Sequence, residues 1–240
     1  MTFSYNGYCF NRYGTFGRYV RDRPPGFGDR YPENTVEAVT QASEDADAVE
    51  IDVRRCGSGD LVVTHYDHLA LVTDGHGDVN ELSAAEVTSF TIEGSSECIP
   101  RLDAVLDAIP PHTDINIELK ELHLAADVLD AIDDLENDVV ISALDANVHT
   151  LWETRRLDDS VPLALNFSLR PQEDLEIADL IGCTYANTHW ALCLCTDVID
   201  RAHDCGMEVH AWPVGLRVIA EALRWRGVDG LIARSPHVVP

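Results

Sequence analysis

Lysine is almost missing from this chain. Of 17 basic residues only Lys120 is a lysine, and the rest are arginine. Positive charge of any kind is scarce, since 42 acidic residues face those 17 and leave a formal charge of −25. That balance argues against nucleic acid or an anionic membrane surface as a partner, because both bind clustered positive charge. No apolar run reaches membrane-span length, and no signal-peptide-like hydrophobic segment follows Met1. The seven cysteines are odd in number and lack zinc-type spacing, so neither a disulfide scaffold nor a zinc site is expected. Cys193 and Cys195 read as packing residues. These absences lead to the expectation of a cytoplasmic protein with no membrane span.

The acids are spread along the chain rather than gathered in one tail. Such a surface repels itself unless salt screens it. With lysine almost abandoned, the composition reads as that of a protein from a salt-loaded, halophilic cell. A chain of 240 residues, 45% of them hydrophobic, is long enough to bury one sizeable core.

Residues 1–23 stand apart. They hold seven of the 13 Phe and Tyr residues, four arginines and a single acid, Asp22. They show neither a clean helical nor a clean strand period. The expected division is an atypical N-terminal segment over 1–23 and one barrel-like domain over 24–240.

Beyond that seam, apolar strand patterns alternate with helical ones. "AVEIDV" (48–53), "DINIEL" (114–119), "DVVISAL" (138–144), "VPLALNF" (161–167), "CTYANT" (183–188), "EVHAWPV" (208–214) and "VDGLIA" (228–233) read as buried strands. "DLVVTH" (60–65) reads as a short excursion strand, with helix signals over 83–90 and 101–109. Strand–helix alternation implies right-handed parallel crossovers. The expected fold is α/β, a (β/α)₈ TIM barrel with a small insertion after its second strand. Seven core strands are readable, and the first is atypical or missing.

Catalytic groups of such barrels sit at the C-terminal ends of strands. Glu50 and Asp52 alternate by two and so share one side of their strand, and Glu118 stands near the end of "NIELK". Three carboxylates brought together need a positive partner, and a hard divalent cation, Mg²⁺ or Ca²⁺, suits oxygen ligands. Acids that merely mark exposed strand edges are the alternative. The one lysine, Lys120, lies two residues past Glu118 on the same side, where a compact ammonium suits a phosphate oxygen. His65 ends the excursion strand and is a candidate acid or base.

Together "PENT" (32–35), "ADAVEIDVR" (46–54), "LVVTHYDHL" (61–69), "IPRLDAVL" (99–106), "INIELK" (115–120), "VHAWPV" (209–214) and "GVDGLIARSP" (227–236) resemble the glycerophosphodiester phosphodiesterase family, in its order. The resemblance implies a metal-dependent barrel enzyme. It would split small glycerophosphodiesters into sn-glycerol 3-phosphate and an alcohol. It implies Glu50, Asp52 and Glu118 as metal ligands, His65 as one of two acid/base histidines, Lys120 as a phosphate binder and Trp212 as a wall of the alcohol pocket.

The chain departs from the family pattern in four places. His65-Tyr66 stands for His-Asp, Trp212-Pro213-Val214-Gly215 for Trp-Thr-Val-Asn, and Ala233-Arg234 for Thr-Asp. Where the family opens with an apolar strand and His-Arg-Gly, this chain has Pro24-Pro25-Gly26. One account is an inactive homologue, a binding protein that keeps the pocket. The other is a shift of reading frame. Arg21 to Gly26 can be encoded so that moving by one base reads Val-Ile-Ala-His-Arg-Gly, the missing strand and motif. A third reading is a barrel phosphodiesterase for another phospholipid head group. With Pro24 and Pro25 in place of the motif's histidine and arginine, His68 and His189 are the substitutes to examine for the missing histidine.

Overall fold

Seven strands run parallel in one curled sheet: β2 (Ala48–Arg55), β4 (Asp114–Leu119), β5 (Val139–Leu144), β6 (Leu163–Phe167), β7 (Tyr185–His189), β8 (Glu208–Val214) and β9 (Gly230–Ala233). The structure, a computed structural model, describes residues 9–12, 31–233, 235 and 238–239. The strand β1 (Cys9–Arg12) lies between β9 and β2 and pairs with both, so the ring closes. It runs antiparallel, whereas a barrel of repeated strand–helix units would place a parallel strand there. The edges of β2 and β9 carry backbone donors and acceptors that need partners, and an antiparallel ladder satisfies them as well as a parallel one. Pro24 and Pro25 lie outside the described residues, as does Arg234.

The helices follow the strands as the alternation requires: α1 (Val36–Ala42), α2 (Ala84–Val87), α3 (Leu102–Leu106), α4 (Ala125–Ile132), α5 (His149–Leu157), α6 (Pro171–Ile181), α7 (Trp190–Cys195), α8 (Val198–Asp204) and α9 (Arg217–Arg226). Local chemistry sets their ends. Thr35 caps α1 by accepting from the Ala38 amide at 3.1 Å. Pro171 occupies the first turn of α6, and Gly182 ends that helix at φ 75°, a left-handed turn that suits a residue without Cβ. The helix expected over 83–90 is a single capped turn, with Ser83 and Glu86 forming a reciprocal capping box. Among the described residues no helix is long and apolar enough to cross a membrane.

Strand alternation divides the barrel into two environments. One phase, including Val49, Ile51, Ile115, Ile117, Leu163 and Leu165, joins the helices in the main hydrophobic core. The other phase points into the barrel and is largely polar, with Asp52, Asn116, Glu118, Asn166, Asn187 and His210 all buried. Between β2 and α3 the excursion strand β3 (Leu61–Val63) pairs antiparallel with the end of β2. The segment around it has its own small core of Cys56, Val62, Leu69, Val79, Val87 and Ile99. Cys193 is fully buried in the main core, as a packing residue should be, but Cys195 is exposed at the end of α7. Two residues apart on one helix, they face in different directions, which corrects the expectation that both pack.

Candidate active site

Residues two apart on one strand, and in register with the next strand, meet inside the barrel. Glu50 and Asp52 on β2 stand beside Asn116 and Glu118 on β4. Ligand atoms of Glu50, Asp52 and Glu118 lie within 4.8 Å of one another. Lys120 is buried between two of them, its Nζ 2.9 Å from Asp52 Oδ1 and 2.6 Å from Glu118 Oε1. The sole lysine therefore sits in the acidic cluster, where its register placed it.

Neighbouring amides orient the carboxylates. Asn34 Nδ2 donates to Asp52 Oδ2 at 2.8 Å, and the Asp52 amide donates back to Asn34 Oδ1 at 3.1 Å. Asn34 holds that pose at φ 57°, a backbone region that asparagine tolerates better than most residues. Asn116 Nδ2 donates to Glu50 Oε2 at 2.7 Å, and Asn166 Nδ2 to Glu118 Oε2 at 3.1 Å. Sequence reasoning missed these asparagines as site residues. Asn116 carried a readable signal, being two before Glu118 in "NIELK". Asn166 had none, because its partner comes from a strand 48 residues away.

Electrostatics make the cluster short of positive charge. Burial, then the Glu118 and Asp52 carboxylates, push Glu50 well above the ordinary carboxylate range. Burial also raises Glu118, although Lys120 pulls it back. For Lys120, burial works against the ammonium, but Asp52 and Glu118 outweigh it and hold the amine above its ordinary value. With all three carboxylates ionised, as a bound cation would hold them, the single ammonium would leave two negative charges, the complement of a divalent ion. Hard, converging carboxylate oxygens are the donor set that Mg²⁺ or Ca²⁺ takes, so these residues fit such an ion.

Above the cluster opens a small pocket lined by Glu50, His65, Glu118, Lys120, Asn166 and Trp212, among others. Trp212 is buried on β8, edge-on to His189 with ring centroids 5.8 Å apart. His65 arrives on the segment after β3, and Arg54 fixes its backbone by donating from Nε and Nη2 to the His65 carbonyl at 3.1 and 2.9 Å. All six candidate residues thus converge at one end of the barrel. Of the two substitute histidines, His68 is exposed and accepts from the Ala70 amide at a turn, away from this cavity. His189 ends β7, accepts from the Ala191 amide through Nδ1, and is held below its ordinary pKa by burial.

The model of the glycerophosphoryl diester phosphodiesterase family matches residues 26–237. A glycerophosphodiester phosphodiesterase of Caldanaerobacter subterraneus subsp. tengcongensis is 25% identical over 229 residues, 89% of this chain and 93% of that protein. A phosphodiesterase of Oleispira antarctica, solved with the product sn-glycerol-3-phosphate, superposes with a TM-score of 0.78 at 24% identity, over 88% of this chain and 91% of that one. The glycerophosphodiester phosphodiesterase of Thermotoga maritima gives 0.74 at 22% identity, over 89% and 92%. An α/β TIM-like barrel with its acids and lysine gathered at one end, and a family match over nearly its whole length, place the chain in the glycerophosphoryl diester phosphodiesterase family.

Proposed function

We propose that this chain is a divalent-metal-dependent hydrolase of small glycerophosphodiesters, releasing sn-glycerol 3-phosphate and an alcohol, and that it is impaired as written. The observation that carries this reading is the convergence of Glu50, Asp52 and Glu118 around Lys120 beneath a cavity that also holds His65 and Trp212.

Glu50, Asp52 and Glu118 would hold the metal, with Asn34, Asn116 and Asn166 fixing their oxygens. When bound, Mg²⁺ or Ca²⁺ supplies Lewis-acid polarisation of phosphoryl oxygens. Lys120 places an ammonium at the same end of the barrel for a phosphate oxygen. His65 moves a proton between the reacting oxygens and its imidazole, and Arg54 keeps its backbone in place. Trp212, braced by His189, forms an apolar wall for the departing alcohol.

Pro24 and Pro25 stand where the family motif puts its other histidine and an arginine, so one proton-transfer partner and one phosphate clamp are lost from the sequence. That loss favours a second reading, a non-catalytic protein that binds metal and phosphodiester in the same pocket. The exposed acidic surface and the free buried thiols of Cys56, Cys183 and Cys193 support a salt-rich, reducing, cytoplasmic setting.

Calorimetric titration with Mg²⁺ and Ca²⁺ tests the metal assignment. One site in the wild type, lost in Glu118→Ala, is the expected result. Unchanged binding in that variant would sink the assignment. Release of glycerol 3-phosphate from glycerophosphoethanolamine then separates the two readings, since a binding protein takes up metal without any turnover.

A further inference from the structure

The pocket above the metal cluster has two unlike sides. On one, Lys120 bridges Asp52 and Glu118, and Asn166 donates to Glu118 and accepts from Asn187. On the other, the lining is carbon: Leu144, Trp212 and Ile232, from β5, β8 and β9. Trp212 and Ile232 are 6% and 2% exposed and form an apolar cluster of their own, set in an otherwise largely polar barrel interior.

Apolar character continues onto the rim. Nine large hydrophobic side chains are exposed among the described residues, and three of them, Leu122, Leu169 and Leu216, stand on the segments that leave β4, β6 and β8. Those are alternate strands of the ring, and the pocket opens at their C-terminal ends. Exposed leucines scattered singly need no explanation, but three spaced around one mouth form a surface that an apolar ligand can use. Gly215 lies between Trp212 and Leu216, where the family pattern carries asparagine. A Cβ there would meet nothing within 4 Å, so this part of the rim has open space beside it and no polar side chain.

We propose that the alcohol of this chain's substrate is apolar: a glycerophosphodiester whose departing alcohol carries an alkyl chain, seated against Leu144, Trp212 and Ile232 and running out over Leu169 and Leu216. The inference rests on the phosphodiester reading of the pocket and names the alcohol which that reading leaves open. A charged or polyhydroxylated alcohol would give up its hydration against these walls and gain no hydrogen bond from them. An alkyl chain gains instead, since each methylene taken out of water is worth about 0.8 kcal/mol, about fourfold in affinity. The reaction keeps its balance. Water is consumed, the P–O bond to the alkyl oxygen breaks, and the alcohol leaves with a proton.

Binding tests this without needing turnover. The full chain, saturated with Mg²⁺ or Ca²⁺ at fixed KCl, is titrated calorimetrically with glycerophosphobutanol, glycerophosphohexanol, glycerophosphooctanol and glycerophosphocholine. Affinity should climb about two- to fourfold per added methylene until the chain outruns the rim, leaving the octyl ester at least about tenfold tighter than glycerophosphocholine. Leu169→Asp and Leu216→Asp, both at exposed positions that tolerate a polar side chain, should flatten the climb and leave glycerophosphocholine unchanged. Leu180→Asp, at the far end of α6, should leave the whole series as in the wild type. Equal affinity for all four ligands would overturn the apolar alcohol while the phosphodiester pocket stood. Metal uptake with no binding of any ligand would instead remove the phosphodiester reading, and this inference with it. A climb that survives both rim variants, or is lost in Leu180→Asp, would show that the chain lies elsewhere on the surface and would also overturn the proposal.

Discussion

Replacing Lys120 by methionine removes the one ammonium from a buried acidic cluster and keeps most of the side chain's volume. Its side chain is 5% exposed, and those of Asp52 and Glu118 are 6% and 7%, so little water can take its place. Breaking a buried ion pair by deleting one partner costs about 3–5 kcal/mol, because the other charge is left uncompensated. For a chain of this size about 1 kcal/mol moves the melting temperature by ~2–4 °C, so Lys120→Met should lower it by about 6–20 °C in EDTA. Divalent metal supplies the missing charge, so Mg²⁺ or Ca²⁺ should restore more stability to the variant than it adds to the wild type. Differential scanning calorimetry at fixed KCl, with and without metal, measures both. A melting temperature within about 2 °C of wild type in EDTA would mean that the carboxylates do not depend on Lys120, and the electrostatic account of the site would fail.

Stability should rise steeply with KCl as the −25 charge is screened, and a flat melting temperature from low to molar salt would refute the halophilic reading. Burial pushes the Cys183 and Cys193 thiols up to about 12 and Cys56 to about 11, whereas Cys195 and Cys205 are exposed. Peptide mapping after brief alkylation of native protein should therefore find 195 and 205 modified and 56, 183 and 193 intact. Early labelling of Cys193 would contradict its place in the core. Gly230→Ala should cost about 1–3 kcal/mol in denaturant unfolding, since the new Cβ collides with the His210 ring, and a neutral outcome would mean that ring is free to move.

Much of the site was legible because strand alternation is a strict code. Glu50, Asp52, Glu118 and Lys120 were placed on one side of two strands by spacing alone, and the parallel register of β2 with β4 brings them together. "DINIEL" gave β4 its bounds to the residue, since apolar and polar positions alternate without interruption there. What spacing cannot carry is partnership across the barrel. Asn34 and Thr35 both suit a helix N-cap, and only the structure shows that Thr35 does the capping while Asn34 turns its side chain to Asp52. Asn166 and Asn187 read as ordinary positions in buried strands, because only closure of the ring reveals that they point inward at acids and at each other. The short helix α7 was also unforeseen, because its "WALCLC" is apolar on all sides and lacks a helical period. The antiparallel course of β1 was equally hidden, since residues 9–12 carry no pattern that specifies direction.

The central claim, a phosphodiesterase site impaired by Pro24-Pro25 standing in place of a histidine and an arginine, is tested most directly by repairing the chain and measuring glycerol 3-phosphate. Loss of one acid/base partner typically costs about 10²–10⁴ in rate, and loss of a phosphate clamp with it costs more. The chain as written should hydrolyse glycerophosphocholine or glycerophosphoethanolamine barely, if at all, with Mg²⁺ or Ca²⁺ present. Replacing residues 18–25 by an apolar strand ending in His-Arg should produce metal-dependent release of glycerol 3-phosphate, and adding His65→Ala to the repaired chain should abolish it. Full activity in the unrepaired chain would contradict the account, and would assign the missing proton transfer to another group, with His189 the first to examine.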